Sequence, residues 1–212
     1  MHDEILRYMG HSGAPTAQLE SLISSCLEKL GAVSKPRHVM RQFQCTVSED
    51  SVTIDVLKIK SKGLAAHLCA CTQVYLFAAT LGADVDRLIT QRSMRDSAEA
   101  FCLQACAAVQ IEDYCDNIVE ELSHSIEKDG LYLRPRFSPG YSDFNLAFQT
   151  DLLNMLQAHK FTGISETSTH MLTPLKSVSA VIGVNTDASR TRAKCQNCDK
   201  ADCAFKQKEI ST

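Results

Sequence analysis

Two segments frame the stretch of sequence that decides the fold: Leu131-Tyr-Leu-Arg-Pro-Arg136-Phe-Ser-Pro-Gly140-Tyr141 and Met171-Leu-Thr-Pro174-Leu-Lys-Ser177-Val-Ser179-Ala-Val-Ile-Gly-Val184. Between the two segments, leucines recur at helical spacing and predict a short helix from Asn145 to Ala158. These leucines are Leu146, Leu152, Leu153 and Leu156. The first segment therefore indicates a strand that enters a proline–glycine turn ahead of this helix.

The turn carries side chains that suit a small zwitterionic ligand. The guanidinium of Arg136 can hold a carboxylate through two parallel hydrogen bonds. Gly140 lets the backbone approach a ligand closely, and Tyr141 adds a hydroxyl. The same residues also fit a surface arginine beside a tight turn, so the pattern by itself leaves both interpretations open.

The order of three motifs along the chain resembles that of a known protein domain. Arg136-x-x-x-Gly140-Tyr141, followed by Pro174-x-x-Ser177-Val-Ser179, resembles the S-adenosylmethionine-binding reactivation domain of cobalamin-dependent methionine synthase. Upstream, Asp96-Ser-Ala-Glu99-Ala-Phe101 resembles the helix that supplies an acidic ligand contact in that domain. The run Lys176-Ser-Val-Ser-Ala is similar to small stand-alone relatives of the domain. The resemblance spans residues 96–184.

The resemblance implies a binding site for S-adenosylmethionine. The implied contacts are Glu99, Arg136, Gly140, Tyr141, Pro174 and Ser177. Without the resemblance Glu99 would be read as an ordinary solvated helix glutamate; with it, Glu99 is expected near the α-amino group or the sulfonium of the ligand. The loop from Met171 to Ser177 is expected on the face that meets a corrinoid.

The function that the resemblance implies is the reactivation of a cobalamin-dependent methionine synthase. Oxidised cobalamin on a partner protein is recovered by one-electron reduction coupled to methyl transfer from S-adenosylmethionine. No side chain is needed as a nucleophile, because the cofactors carry the chemistry. The chain is thus expected to be a methyltransferase component rather than a complete enzyme. Its partner would be methionine synthase or another corrinoid protein, and an electron donor protein is a further candidate partner.

Two other functions stay open. The chain could be a metal or iron–sulfur protein that passes electrons to a corrinoid protein without binding S-adenosylmethionine. It could also be a regulatory module that senses S-adenosylmethionine without taking part in turnover.

The expected fold is an α+β domain with a curved, mostly antiparallel sheet flanked by helices. Residues 1–35 are expected to form a helical N-terminal extension, residues 36–186 the activation-like domain, and residues 187–212 a Cys-rich tail. Alternating apolar residues from Val39 to Val47 and from Val52 to Val56 predict a β-hairpin. The apolar run from Val74 to Leu81 fits a buried central strand.

Helical spacing predicts the remaining elements. A short helix is expected from Asp3 to Met9, and a second is expected to begin at Pro15 and to stop at Gly31. A third is expected from Ser61 to Leu68. The longest helix is expected between Ser93 and about Glu127, with a buried stripe that steps by threes and fours. The stripe consists of Phe101, Ala105, Ala108, Cys115, Ile118 or Val119, and Leu122.

Composition excludes several classes of function. A net charge of −3 gives no basic stripe, so nucleic acid is not an expected partner. The sequence contains no apolar run long enough to span a membrane and begins without a signal peptide, so the chain is expected in the cytoplasm. Ten cysteines in a reducing compartment need an explanation other than disulfides.

The last cysteines form a group of their own. Cys195, Cys198 and Cys203 lie in polar sequence that offers no core. Their spacing favours a metal, either zinc or an iron–sulfur cluster. The fourth ligand would come from Cys69 or Cys71, from a partner chain, or from solvent. Free thiols are the alternative. The other cysteines of the chain, Cys69 and Cys71 among them, are expected in the core.

Overall fold

Residues 1–188 are described by a computed structural model, and the predicted tail ligands Cys195, Cys198 and Cys203 lie outside the described residues. Within residues 1–188, six strands form one antiparallel sheet with the order β3-β2-β1-β4-β8-β5. These strands are β1 (Arg37–Val47), β2 (Ser51–Ile54), β3 (Leu57–Lys60), β4 (Gln73–Thr80), β5 (Tyr132–Leu133) and β8 (Ser177–Asn185). A separate two-stranded ribbon pairs β6 (Ser165–Glu166) with β7 (Leu172–Thr173). The predicted α+β class with an antiparallel sheet is confirmed.

The central position of β4 follows from its unbroken apolar run. β4 pairs with β1 on one side, where Phe77 lies opposite Met40, and with β8 on the other, where Phe77 lies opposite Ala180. Val74, Leu76 and Ala78 pack on one face of the sheet, while Phe77 and Ala79 pack on the other. A strand that buries both faces needs apolar residues at every position.

The predicted hairpin from Val39 to Val56 needs one correction. β2 ends at Ile54, and a turn at Asp55 and Val56 leads into β3, which the sequence analysis missed. Asp55 has a φ of 54°, and the side chain of Val56 is 87% exposed. The alternation of apolar residues therefore continues into a turn, where Val56 points to solvent.

Four helices cover one face of the sheet: α1 (His2–Tyr8), α2 (Ala17–Val33), α4 (Ala83–Ser93) and α5 (Ser97–Ile126). α2 continues past Gly31, where a stop was predicted, and α4 was not predicted at all. Ile5, Ile23 and Leu30 are fully buried in the same core as Phe77. The N-terminal helices are thus a layer of the domain.

The 30 residues of α5 form the longest described helix and run along this face. The side chain of Asp96 caps its start by accepting hydrogen bonds from the backbone of Ala98 and Glu99, both at 3.0 Å. Ala105 and Cys115 of the predicted stripe are buried, but Phe101 is 53% exposed. The buried face instead includes Cys102 and Cys106, so the stripe is rotated by about one residue from the predicted one.

The opposite face carries the shorter helices α3 (Lys62–His67), α6 (Gln149–Leu156) and α7 (Ala158–Thr162). The predicted helix from Asn145 to Ala158 is broken into a 3-10 turn at Leu146–Phe148, then α6, then α7 after Gln157. Gln157 breaks the helix because its φ of 52° is left-handed. Among the helices of residues 1–188, none combines the length and apolar character needed to cross a bilayer.

Candidate ligand-binding site

Arg136 lies in the turn that follows β5 and reaches toward the middle of α5. Its Nη2 donates to Oε2 of Glu112 at 2.8 Å and to Oδ1 of Asp116 at 2.5 Å. Only 4% of the Arg136 side chain is exposed. Burial acts to lower the pKa of the guanidinium, but attraction by Cys115, Glu112 and Asp116 outweighs it and leaves the pKa raised. Arg136 is therefore a firmly charged, buried cation.

One nitrogen of this guanidinium lacks a hydrogen-bond acceptor among the described residues. Nη1 of Arg136 is buried and has no hydrogen-bond partner among the described residues. A buried donor left without an acceptor costs about 1–3 kcal/mol. An anionic group that reached Nη1 would satisfy this donor.

The turn at Gly140 and Tyr141 forms the next wall of the site. Gly140 has a φ of 92°, a conformation that other residues rarely adopt. Its N–H donates to the carbonyl of Phe144 at 2.7 Å and closes the turn. The ring of Tyr141 meets Phe137 edge to face, with 5.7 Å between ring centroids. Tyr141 remains 43% exposed, which leaves its ring available to a ligand.

The loop that contains Pro174 and Ser177 is held from several sides. The peptide bond between Thr173 and Pro174 is cis, and the hydroxyl of Ser177 donates to the carbonyl of Pro174 at 2.6 Å. The N–H of Leu175 donates to Oδ2 of Asp86 at 2.7 Å. Nζ of Lys176 donates to the carbonyl of Gln104 at 3.2 Å. These contacts fix the loop against α4 and α5.

An open cavity of about 240 Å³ lies between the turn and the loop. Its walls come from α5, the turn after β5, α6, the β6–β7 ribbon and the start of β8. The lining residues are Glu112, Ser138, Pro139, Tyr141, Leu146, Gln149, His170, Met171, Leu172, Leu175, Ser177, Val178 and Ser179. Of the predicted site residues, Tyr141 and Ser177 line this cavity directly. Gly140 and Pro174 lie next to lining residues in the sequence, and Arg136 contacts the lining residue Glu112.

Glu99 lies elsewhere. Its carboxylate pairs with Nζ of Lys29 at 2.5 Å and with Nη1 of Arg92 at 3.7 Å, between α2 and α4. Glu99 and Glu112 are thirteen positions apart on α5, which corresponds to about 20 Å along the helix. The structure therefore does not bring Glu99 together with Arg136 and the cavity.

The carboxylate at the cavity is Glu112, which the sequence analysis missed. Glu112 lines the cavity and contacts Arg136 at the same time. The available signal was its spacing of four from Asp116, because two carboxylates at that spacing share one face of a helix. Both carboxylates reach the same guanidinium.

No described cluster offers a metal site. Among residues 1–188, no three histidine, cysteine, aspartate or glutamate side chains converge in a way that could hold a metal ion. Cys71 is buried in the core, as predicted, whereas Cys69 is exposed, so the prediction that Cys69 lies in the core is wrong. Cys26, Cys45, Cys102, Cys106 and Cys115 are buried, as predicted. The metal prediction for Cys195, Cys198 and Cys203 concerns residues outside the described range.

Comparison with known proteins relates this fold to one solved domain. No family model matches the sequence, and no curated protein is significantly similar to it. The chain is similar to a crystal structure of the MetH reactivation domain bound to AdoHcy, with a TM-score of 0.65 and 17% sequence identity. The match covers 84% of this chain and 68% of that chain. The chain therefore has the fold of the MetH reactivation domain.

Proposed function

We propose that this chain binds S-adenosylmethionine and supports the reductive methylation of oxidised cobalamin on a partner protein. The observation that carries the proposal is the pairing of Arg136 with Glu112 at the wall of the cavity. This pairing occurs in the fold of a domain that has been crystallised with AdoHcy, the demethylated product of S-adenosylmethionine.

The charges around Arg136 suit the amino-acid end of such a ligand. The ligand carboxylate would accept from Arg136, whose Nη1 has no partner among the described residues. The carboxylate of Glu112 would face the α-ammonium and the sulfonium, both of which are cationic. A charge-assisted hydrogen bond is roughly twice as strong as a neutral one, so two such contacts would fix the orientation of this end.

The rest of the ligand would extend along the cavity toward Ser177. The polar side chains of Gln149, Ser177 and Ser179 line this part, together with the exposed ring of Tyr141. Small ligands are commonly oriented by a few polar groups in a largely apolar pocket. The cavity fits that description.

In the proposed reaction, the chain supplies position and charge, while the cofactors carry the chemistry. One electron from a donor protein reduces the partner's cob(II)alamin. The reduced cobalt then attacks the methyl carbon of S-adenosylmethionine. A cobalt–carbon bond forms, the carbon–sulfur bond breaks, and the sulfur keeps the bonding pair to become a neutral thioether. Holding the two reactants in line is the main contribution that a protein can make to such a step.

The rim of the cavity exposes apolar side chains that suit contact with a partner protein. Met171 and Leu175 are 55% and 62% exposed, beside the exposed ring of Tyr141. Exposed apolar residues that border a ligand cavity are typical of interaction sites. We propose that a cobalamin-binding methionine synthase, or another corrinoid protein, meets this rim.

The experiment that tests the proposed function is an anaerobic methylation assay. Cobalamin-loaded methionine synthase fragment, a one-electron reductant and S-adenosylmethionine with a labelled methyl group are incubated with and without this chain. We expect label to reach the cobalamin only when the chain is present. An Arg136→Ala variant should be much slower, whereas Arg41→Ala, on β1 beside Phe161, should match the wild type. Equal labelling with and without the chain would refute the proposal.

The electron-transfer alternative depends on Cys195, Cys198 and Cys203. These residues lie outside the described range, and the alternative stays a prediction from the sequence.

A further inference from the structure

His170 is held in place at the tip of the β6–β7 ribbon. Its Nδ1 lies 3.2 Å from Oε2 of Glu166, and the other carboxylate oxygen, Oε1, accepts a hydrogen bond from the hydroxyl of Thr150. The side chain of Glu166 is only 18% exposed. Thr150, at the start of α6, thus fixes the carboxylate, and the carboxylate fixes the imidazole.

This arrangement determines which ring nitrogen is free. An ionised carboxylate can only accept, so the Nδ1 that faces Glu166 carries the proton. In the neutral imidazole, Nε2 is then an acceptor with a free lone pair. His170 lines the cavity, and the side-chain hydrogen bond that holds it within residues 1–188 is formed by Nδ1. His170 therefore presents an oriented acceptor at the cavity wall.

The backbone around His170 is tied down as well. The N–H of Thr167 donates to the carbonyl of Met171 at 2.9 Å, and the N–H of His170 donates to the carbonyl of Thr167 at 2.9 Å. His170 has a φ of 61°. A residue with a Cβ is strained in this conformation, and such residues cluster at ligand sites. The ring is thus presented on a closed turn with little freedom.

His170 lines the cavity from the β6–β7 ribbon, whereas Arg136 contacts Glu112, which lines the cavity from α5. Phe137, the residue after Arg136, pairs with Val181 of β8, whereas the β6–β7 ribbon leads into the loop before Ser177. With the amino-acid end of the ligand at Arg136 and Glu112 on the α5 side, the wall formed by the ribbon is left for the nucleoside end, and His170 lies on that wall.

The walls beside His170 are apolar. Met171 and Leu172, which follow His170 in the sequence, line the same cavity, as does Leu175. Flat apolar surfaces suit a purine ring better than a ribose, and a methionine sulfur makes favourable contacts with aromatic rings. An oriented acceptor next to apolar walls is what an adenine needs, because adenine carries an exocyclic amine at the edge of a flat ring.

We propose that His170, oriented by Glu166 and Thr150, is the residue that selects the base of the ligand, with Nε2 accepting a hydrogen bond from the exocyclic amine of adenine. The inference rests on the proposed function, because it assigns the nucleoside end of the same ligand. Hypoxanthine carries a carbonyl oxygen where adenine has the amine. Its oxygen would face the lone pair of Nε2, and two acceptors repel each other.

The test compares two stable ligands by calorimetry, S-adenosylhomocysteine and its hypoxanthine counterpart S-inosylhomocysteine. Four proteins are titrated: the wild type, His170→Phe, Glu166→Gln, and the control His124→Phe, which changes an exposed histidine near the end of α5. We expect the wild type to bind the adenine ligand at least about tenfold more tightly, since sites that hydrogen-bond a substrate group discriminate strongly against its absence. The control should keep this preference.

The variants separate base selection from a general role in folding. His170→Phe should lose the preference, because its affinity for the adenine ligand falls while its affinity for the hypoxanthine ligand stays the same. Glu166→Gln should shrink the preference, because the tautomer of His170 is no longer fixed. Retention of the full preference in His170→Phe would overturn the inference, and so would an equal loss of affinity for both ligands. If the wild type binds S-adenosylhomocysteine and S-inosylhomocysteine equally tightly, the assignment of His170 fails and the proposed function stands. If it binds neither ligand, the proposed function fails.

Discussion

Nη2 of Arg136 lies 2.8 Å from Oε2 of Glu112, and this ion pair joins the turn after β5 to the middle of α5. One partner is almost fully buried, whereas the side chain of Glu112 is 36% exposed and lines the cavity. A ligand that enters the cavity therefore meets the carboxylate of Glu112 at its wall.

Replacing Glu112 with glutamine should change the discrimination between two ligands. S-adenosylmethionine carries a sulfonium charge that S-adenosylhomocysteine lacks, so the loss of a nearby carboxylate weakens mainly the methylated ligand. Attraction between charges at a few ångströms is worth several kcal/mol at an effective dielectric of about 20. Part of this loss is offset because Arg136 becomes freer to bind the ligand carboxylate. We expect the ratio of the two affinities to shift by about tenfold toward S-adenosylhomocysteine.

Calorimetry with both ligands measures this ratio. Glu120→Gln is the matched control, because Glu120 is an exposed glutamate on the same helix. An unchanged ratio in Glu112→Gln would show that Glu112 does not face the sulfonium.

Because β2 ends at Ile54, alanine substitutions at Ile54 and Val56 should have unequal effects on the free energy of unfolding. Ile54 is fully buried and Val56 is 87% exposed. Ile54→Ala should lower the free energy of unfolding by about 2–5 kcal/mol through the lost contacts and the cavity that remains. Val56→Ala should change it by less than about 0.5 kcal/mol, as is usual for a surface site. Urea denaturation measures both values, and similar losses would contradict the assigned turn.

Asp143 predicts a loss of stability in acid. Its carboxylate accepts from the hydroxyl of Ser61 at 2.6 Å and from the backbone of Lys62 at 2.8 Å and Gly63 at 2.9 Å, at the start of α3. The hydrogen bond from Ser61 comes first among the causes that lower the pKa of Asp143, followed by the one from Gly63. A lowered pKa means that the folded state favours the ionised form. This contribution is present above the ordinary carboxyl pKa of about 3.9 and disappears as pH falls through the lower folded value.

The measurement is the stability of the wild type minus that of Asp143→Asn across this range of pH. The wild type should be the more stable protein at neutral pH, and the difference should shrink in acid. A difference that stays constant from neutral pH to strong acid would argue against a role for the ionised carboxylate.

The sequence also predicts that Cys195, Cys198 and Cys203 bind zinc or an iron–sulfur cluster. Anaerobically isolated wild type should contain bound zinc or iron, and replacing all three cysteines by serine should remove it. A visible absorption band would identify a cluster, and colourless protein with bound zinc would identify a structural site. Metal-free protein whose three thiols react freely would contradict both versions.

The elements that could be predicted are those whose signal is local. β4 is an unbroken apolar run because both faces of the central strand are covered. Most of α5 was predicted as well, although its start was placed at Ser93, which is the last residue of α4, and the helix begins at Ser97 after its cap Asp96. Such signals depend on a few adjacent residues, so they can be recognised without knowledge of the rest of the fold.

The features that were missed depend on tertiary contacts. Asp55 adopts a positive φ without the glycine that usually marks such a turn. The carboxylate that meets Arg136 depends on where the turn after β5 crosses α5. The motif around Glu99 resembles a ligand-binding helix, yet the crossing falls thirteen positions later, at Glu112. His170 gave no signal because Glu166 and Thr150, which orient it, come together only in the fold.

The most direct test of the central claim is a titration of the wild type and Arg136→Ala with S-adenosylhomocysteine. The account predicts saturable binding by the wild type. Removing Arg136 should weaken it about ten- to a hundredfold, because a hydrogen bond to a charged group is worth about 1.5–3 kcal/mol. Thermal unfolding checks that the variant is folded, and Arg41→Ala controls for the loss of an arginine that packs on Phe161 and does not line the cavity. No binding by the wild type, or equal binding by wild type and folded Arg136→Ala, would contradict the account.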